Sequence, residues 1–167
     1  MIETRRLLIR PLSYDELLKH ITSPSGLAED LGLKASESLI EKDTQEAILN
    51  DMLPHLSDST KESLFYTMWI MIEKYKRVII GGICFHGEPD DNGEVEIGYG
   101  TDLGYRNRGY MTETISGMTK WAKDSGKIKA IKAETNRNNV ASISVLEKNK
   151  FEIIEQKKSS VVMKLKI

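Results

Sequence analysis

The stretch Glu94-Val95-Glu96-Ile97-Gly98-Tyr99-Gly100, followed by Leu103-Gly104-Tyr105-Arg106-Asn107-Arg108-Gly109-Tyr110-Met111-Thr112-Glu113, decides how this chain is read. Val95, Ile97 and Tyr99 alternate with Glu94, Glu96 and Gly98, which is the period of a strand. From Met111 the period lengthens, and Met111, Ile115, Met118 and Ala122 fall on one helical face. A basic turn containing Gly109 joins the two. The first N–H groups of a helix have no internal partner, and the helix dipole favours negative charge beside them. Strand, basic turn and helix in this order therefore predict an anion site, with Arg106 and Arg108 adding charge. Gly109 lets the backbone come close to a ligand.

Working outward, residues 63–73 and 78–85 read as two strands turned by Tyr75-Lys76-Arg77. Gly81-Gly82 marks a bulge or a close backbone contact in the second. Pro89-Asp90-Asp91-Asn92-Gly93 turns the chain into the strand at 94–100, so three strands form a meander. The helix at 111–124 stops at Ser125-Gly126, and residues 128–135 read as a strand. Strand–helix–strand implies a parallel crossover. Asn139 is a suitable N-cap for a helix over 140–149, with Val140, Ile143, Val145 and Leu146 among its apolar positions. Residues 151–157 and 160–167 close the chain as a hairpin.

On the N-terminal side, residues 2–10 read as one strand ended by Pro11. Ser13 with Glu16 forms a capping-box signature for a helix over 14–21, stopped by Ser23-Pro24-Ser25-Gly26. Residues 27–35 fit either a short helix or a loop. Leu39, Ile40, Ala47, Ile48, Met52 and Leu53 have near-helical spacing, which predicts a helix over 44–53. The order of elements describes one α+β domain over 1–167 with a mixed sheet.

Composition narrows the function classes. In 167 residues, 40% are hydrophobic and 29% charged, the balance of an ordinary globular domain. A formal net charge of −1 provides no global field for nucleic acid or an acidic membrane, so neither is expected as a partner. The single cysteine, Cys84, excludes an internal disulfide and lies in an apolar strand pattern, as a buried inert thiol would. His20, His55 and His86 have no ligand spacing, so no metal site is expected. No apolar run suits a signal peptide or membrane span, which makes the cytoplasm the expected compartment.

The turn resembles the acetyl-CoA diphosphate loop of the GNAT superfamily of N-acetyltransferases, whose pattern is Gln/Arg-x-x-Gly-x-Gly/Ala. Here it reads Arg106-x-x-Gly109-x-Met111, with Met111 departing at the last position. A second stretch, Asn139-x-x-Ser142 followed by Glu147-Lys148-x-x-Phe151, is similar to the family's Asn-x-x-Ser/Ala and Glu-Lys-x-Gly-Phe signature. Lys150 replaces its glycine, which implies strain of roughly 1–2 kcal/mol if Asn149 or Lys150 is left-handed. The opening Ile2-Glu3-Thr4-Arg5-Arg6-Leu7-Leu8-Ile9-Arg10-Pro11 looks like the branch that includes the ribosomal-protein N-terminal acetyltransferases.

The resemblance implies a mixed, mostly antiparallel sheet with a central parallel strand pair and helices on both faces. It implies acetyl-CoA as co-substrate and a small-molecule or peptide amine as acceptor. Main-chain groups of Ile97, Gly98 and Tyr99 would pair with the pantetheine arm like an added strand. Arg106, Arg108, Gly109, Tyr110, Met111 and Thr112 would hold the diphosphate, and Asn136, Asn139 and Ser142 would face the cofactor.

An alkyl ammonium must lose a proton before it can attack, so a carboxylate base is expected. Glu96 is the first candidate, with Glu94 on the same strand and Glu134 on the neighbouring one as second choice. All three also read as solvent-facing strand carboxylates. Many family members protonate the departing sulfur with a tyrosine on the last helix, but Leu146 occupies that position here. Ser142 or Asn139 could hydrogen-bond the sulfur instead, or serve only as first-turn residue and helix cap. A non-catalytic acyl-CoA sensor is the alternative reading. Acceptor choice is expected from residues 20–45 and 86–94, and the exposed C-terminal hairpin edge leaves monomer and homodimer open.

Overall fold

The computed structural model describes residues 1–34 and 40–167. The N-terminal part runs β1 (Ile2–Glu3), β2 (Leu7–Pro11), α1 (Tyr14–Thr22), α2 (Pro24–Asp30), α3 (Lys42–Ala47) and α4 (Leu53–Leu56). Three strands follow, β3 (Met68–Glu73), β4 (Val78–Phe85) and β5 (Glu94–Thr101). Then come α5 (Tyr110–Ser125), β6 (Ala130–Asn136), α6 (Val140–Lys148), β7 (Glu152–Gln156) and β8 (Ser160–Lys166). The strands form one sheet in the order β1-β2-β3-β4-β5-β6-β8-β7. β5 and β6 are its parallel pair, and the other neighbours are antiparallel.

Alternation along β3 shows how the sheet buries both faces. Trp69 and Met71 enter one core with Ile115, Met118 and Ala122 of α5 and Leu146 of α6. Ile70 and Ile72 enter the other with Leu17 of α1, Leu27 of α2, and Ile48, Met52 and Leu53. A strand buried on both faces reads as a near-continuous apolar run, and Met68–Glu73 does. The capping box forms as expected, with Ser13 Oγ accepting from the Glu16 N–H and the Glu16 carboxylate accepting from the Ser13 N–H.

Several segments differ from their sequence reading. The expected strand over 2–10 folds back on itself as β1 and β2, since the Thr4 hydroxyl accepts from the Leu7 N–H at 3.1 Å and makes a tight turn. Ser23 ends α1, but Pro24 then begins α2, because its fixed φ and missing N–H suit a first helical turn. The expected helix over 44–53 is α3 and α4 joined by a π-helical turn, Ile48–Met52. Pro54 has no N–H to donate one turn back and its ring crowds that carbonyl, so the helix widens ahead of it. Leu39, part of that helical spacing, lies outside the described residues.

The strand expected from residue 63 begins only at Met68, after a 3₁₀ turn at Ser63–Phe65. The Trp69 Nε1–H donates to the Leu64 carbonyl at 3.0 Å and holds that turn over the core. Val140, one of the expected apolar positions of its helix, is exposed in the first turn of α6. Gly81 bears out the close contact: a Cβ there would lie 2.3 Å from the Gly100 carbonyl oxygen. The β3–β4 register also shifts between Ile70 and Ile72, as a bulge requires.

Candidate active site

β5 changes partner along its length. It pairs with β6 only from Glu94 opposite Ala130 to Glu96 opposite Lys132. Against β4 it pairs from Ile97 opposite Phe85 to Thr101 opposite Gly81. The two parallel strands therefore part beyond Glu96. The Glu96 carbonyl accepts from the His86 N–H at 2.9 Å, which turns residue 96 toward β4. By alternation Gly98 also faces β4, while Tyr99 presents its N–H and carbonyl to the gap between the parted strands.

Past the end of β5 the chain reaches the basic turn. Asn107 and Gly109 are both left-handed, with φ of 60° and 75°. The backbone bends sharply on either side of Arg108, and α5 starts at Tyr110 with no side-chain cap. The first bond into α5 is donated by the Glu113 N–H to the Gly109 carbonyl at 3.1 Å. Among the described residues, no N–H of residues 107–112 is bonded to a protein acceptor. Successive free amides at the positive end of a 16-residue helix make an anion-binding concavity. Met111 is buried, so its side chain leaves the turn for the core and its N–H stays available. Arg106 ties its Nε–H to the Thr101 carbonyl at 2.8 Å, and Arg108 stacks over Tyr105.

The turn is braced from the other end of the chain. Arg6 Nη1 donates to the Arg108 carbonyl at 2.9 Å, and the guanidinium lies over the Tyr110 ring, 4.3 Å from its centroid. The Glu113 carboxylate accepts from Arg6 Nε at 2.7 Å, from the Arg6 N–H at 2.7 Å and from the Thr4 hydroxyl at 2.6 Å. Burial pushes that carboxyl up, but these bonds outweigh it and hold its pKa below the usual carboxylate value. Neither Arg6 nor Glu113 is assigned a role by the sequence patterns alone. Their only signal was position, since Glu113 lies in the first turn of α5.

The three carboxylates have different fates. Glu94 is held by Lys164 and by Lys132, the latter at 3.2 Å, and the Lys164 hydrogen bond chiefly keeps its pKa low. Glu134 accepts from Lys157 Nζ at 2.7 Å and from the Ser160 hydroxyl at 2.5 Å, which lower its pKa in that order. Glu96 sits at the last paired rung, 3.1 Å from His86 Nδ1, with both side chains partly in solvent.

Across the gap, the Tyr99 hydroxyl lies 2.9 Å from Ser142 Oγ, linking β5 to the first turn of α6. Burial raises the Tyr99 pKa, and the Ser142 bond partly offsets this. Asn139 caps α6 by accepting from the Ser142 N–H at 3.1 Å. Asn136 Oδ1 accepts from the Asn138 N–H at 2.9 Å, and Asn136, Arg137, Asn138, Lys158 and Ser159 line a cleft of about 560 Å³ at the end of β6. Cys84 is buried, and burial pushes its thiol up to about 11, so it is no nucleophile.

Residues 6–152 match the family model described as Acetyltransferase (GNAT) domain. A curated relative from Bacillus subtilis (strain 168), the uncharacterized N-acetyltransferase YjdG, is 29% identical over 153 residues, covering 90% of this chain and 89% of its own. A GNAT-family acetyltransferase structure from Bacillus anthracis has a TM-score of 0.67 at 20% identity, covering 99% of this chain and 97% of that one. RimL, a ribosomal L7/L12 alpha-N-protein acetyltransferase solved with coenzyme A, has a TM-score of 0.66 at 16% identity, covering 98% and 96%.

Proposed function

This chain belongs to the GNAT family of acetyltransferases, whose acetyl donor is acetyl-CoA, and we propose that its acceptor is a primary amine, either a protein N-terminus or a small-molecule amine. The observation that carries the reading is the run of unbonded amides over residues 107–112 at the start of α5. That donor set suits a diphosphate, which is doubly anionic and recognised by backbone N–H groups without side-chain selection. Arg106, Arg108, Gly109, Tyr110, Met111 and Thr112 would hold this end. The main chain from Ile97 through Gly98 to Tyr99 would hold the pantetheine arm along the parted strand, with Asn136, Asn139 and Ser142 on the facing side.

Acetyl-CoA supplies the activated thioester. The protein's residues supply the rest. Glu96 is the carboxylate left for proton removal, because Glu94 and Glu134 are each spent on lysines. The Tyr99 and Ser142 hydroxyls are placed to bring a proton to the leaving sulfur, in the absence of a tyrosine at Leu146, which is fully buried. A peptide N-terminus heads the acceptors to be tried, since RimL is named for that activity. We place the enzyme in the cytoplasm as a monomer or homodimer. No described helix is long and apolar enough to cross a membrane.

Release of free CoA thiol tests the reading, measured over N-terminal peptides, amino acids, polyamines and aminoglycoside-type amines. Amine-dependent release is expected. The missing tyrosine at Leu146 favours one competing reading, a non-catalytic acyl-CoA sensor, and binding of acetyl-CoA without release on any amine would select it.

A further inference from the structure

We propose that the atom receiving the amine's proton is Nε2 of His86, and that Glu96 acts through it as a positioning residue. The assignment rests on the acetyl-transfer reading and names the base of the same site. His86 follows directly on β4 and faces the same side of the sheet as Cys84, two residues earlier. Glu96, Gly98 and Gly100 point to that side from β5, while Val95, Ile97 and Tyr99 point to the α5 side. The imidazole therefore reaches over β5 from its neighbour.

Two contacts fix its orientation. Nδ1 lies 3.1 Å from the Glu96 carboxylate. A carboxylate only accepts, so Nδ1 carries the hydrogen and Nε2 is left with its lone pair. Nε2 itself lies over Gly98, 2.7 Å from where a Cβ would stand. Any other residue at 98 would push the ring away. The open nitrogen is thus held at the first residues beyond the last β5–β6 rung, where the strands part. The Glu96 carboxylate is turned toward His86 and sits one step back along β5.

The other charged groups near this pair leave the assignment intact. Lys132, opposite Glu96 on β6, gives its ammonium to Glu94 at 3.2 Å. Lys157, from the C-terminal hairpin, bonds Glu134 at 2.7 Å and feels Glu96 only at longer range. The imidazolium formed by proton uptake is balanced by Glu96.

The ammonium gives one proton to Nε2, and its nitrogen keeps the electron pair. That pair forms the nitrogen–carbon bond as the carbon–sulfur bond breaks. The Tyr99–Ser142 pair gives one proton to the sulfur and is restored by the nitrogen's second proton, passed through solvent, while His86 returns its own to solvent, so one proton is released for each acetyl group moved.

Three measurements on the full chain test this. The first is nitrogen NMR of the His86 ring in the unliganded protein. A protonated Nδ1 and unprotonated Nε2 are expected in the neutral form, and the opposite tautomer would overturn the assignment. The second is acetyl-CoA binding by thermal shift, which should be the same in wild type and His86→Gln. The third is amine turnover, in which His86→Gln should lower kcat by about 10²–10³-fold. Glu96→Gln should keep the ring placed and cost less. Gly98→Ala should reproduce much of the histidine defect by displacing Nε2. Full turnover in His86→Gln with binding intact sinks the histidine role alone, whereas wild-type protein that fails to bind acetyl-CoA sinks the transfer reading itself. If no amine in the panel turns over, the tautomer decides.

Discussion

At Glu113 a carboxylate with little exposure collects three hydrogen bonds from the β1–β2 turn and lies one turn beyond the free amides. Its folded pKa is depressed, so its contribution to stability is complete above the unfolded value and fades as pH falls through the folded one. Glu113→Gln keeps the shape but loses the charge. It should cost about 1–3 kcal/mol at neutral pH, and the loss should shrink in acid as the wild-type carboxylate protonates. Denaturant titrations at neutral pH and near pH 3 check this, and an equal loss at both would contradict it. Among the carboxylates of the gap, Glu96→Gln should slow amine turnover more than Glu134→Gln, because Glu134 already serves Lys157 and Ser160. The opposite order would move the base to β6. Glu96 was legible in sequence because alternation placed it on a strand. His86 was not, since it lies 10 residues away and a turn intervenes.

Helix ends and strand ends carry the next set of consequences. α6 closes at Asn149, and Lys150 then takes φ of 65°, the left-handed turn for which the family pattern uses glycine. A side chain in that region costs roughly 1–2 kcal/mol, part of which glycine would return as unfolded-state entropy. Lys150→Gly should therefore stabilise the protein by up to about 1 kcal/mol, which calorimetry reads as a rise of a few degrees in Tm. A fall would mean that the lysine makes a compensating contact. Met111 works in the other direction. It is buried in the first turn of α5, directly after Gly109 and Tyr110. Met111→Ala should lose about 2–5 kcal/mol of stability through the cavity it leaves, yet keep acetyl-CoA binding if, as proposed, the main chain of the turn holds the diphosphate. Element types with a clean period were legible, as in β5 and α5. Segments where a proline or a side-chain bond decides the backbone were not, as at Pro54, Thr4 and Ser63–Phe65.

For the molecule as a whole, the glycine turn proposed to hold the cofactor is braced by contacts from distant parts of the chain, with Arg6 bonded to Arg108 and Glu113 more than 100 positions away. Occupying that turn should raise the stability of the entire fold. Acetyl-CoA at one hundred times its Kd should add about 2.7 kcal/mol, or roughly 5–10 °C in Tm. Absence of any shift at millimolar acetyl-CoA would count against the site.

The sequence by itself determined the α+β class, the meander, the crossover and the glycine turn opening α5, because periodicity, capping and turn chemistry act over a few residues. Only the tertiary structure decided where β5 leaves β6, which carboxylates are consumed by lysines and which histidine lies over Gly98. Those facts depend on strand register and on side chains meeting across the sheet, and local spacing carries no record of either.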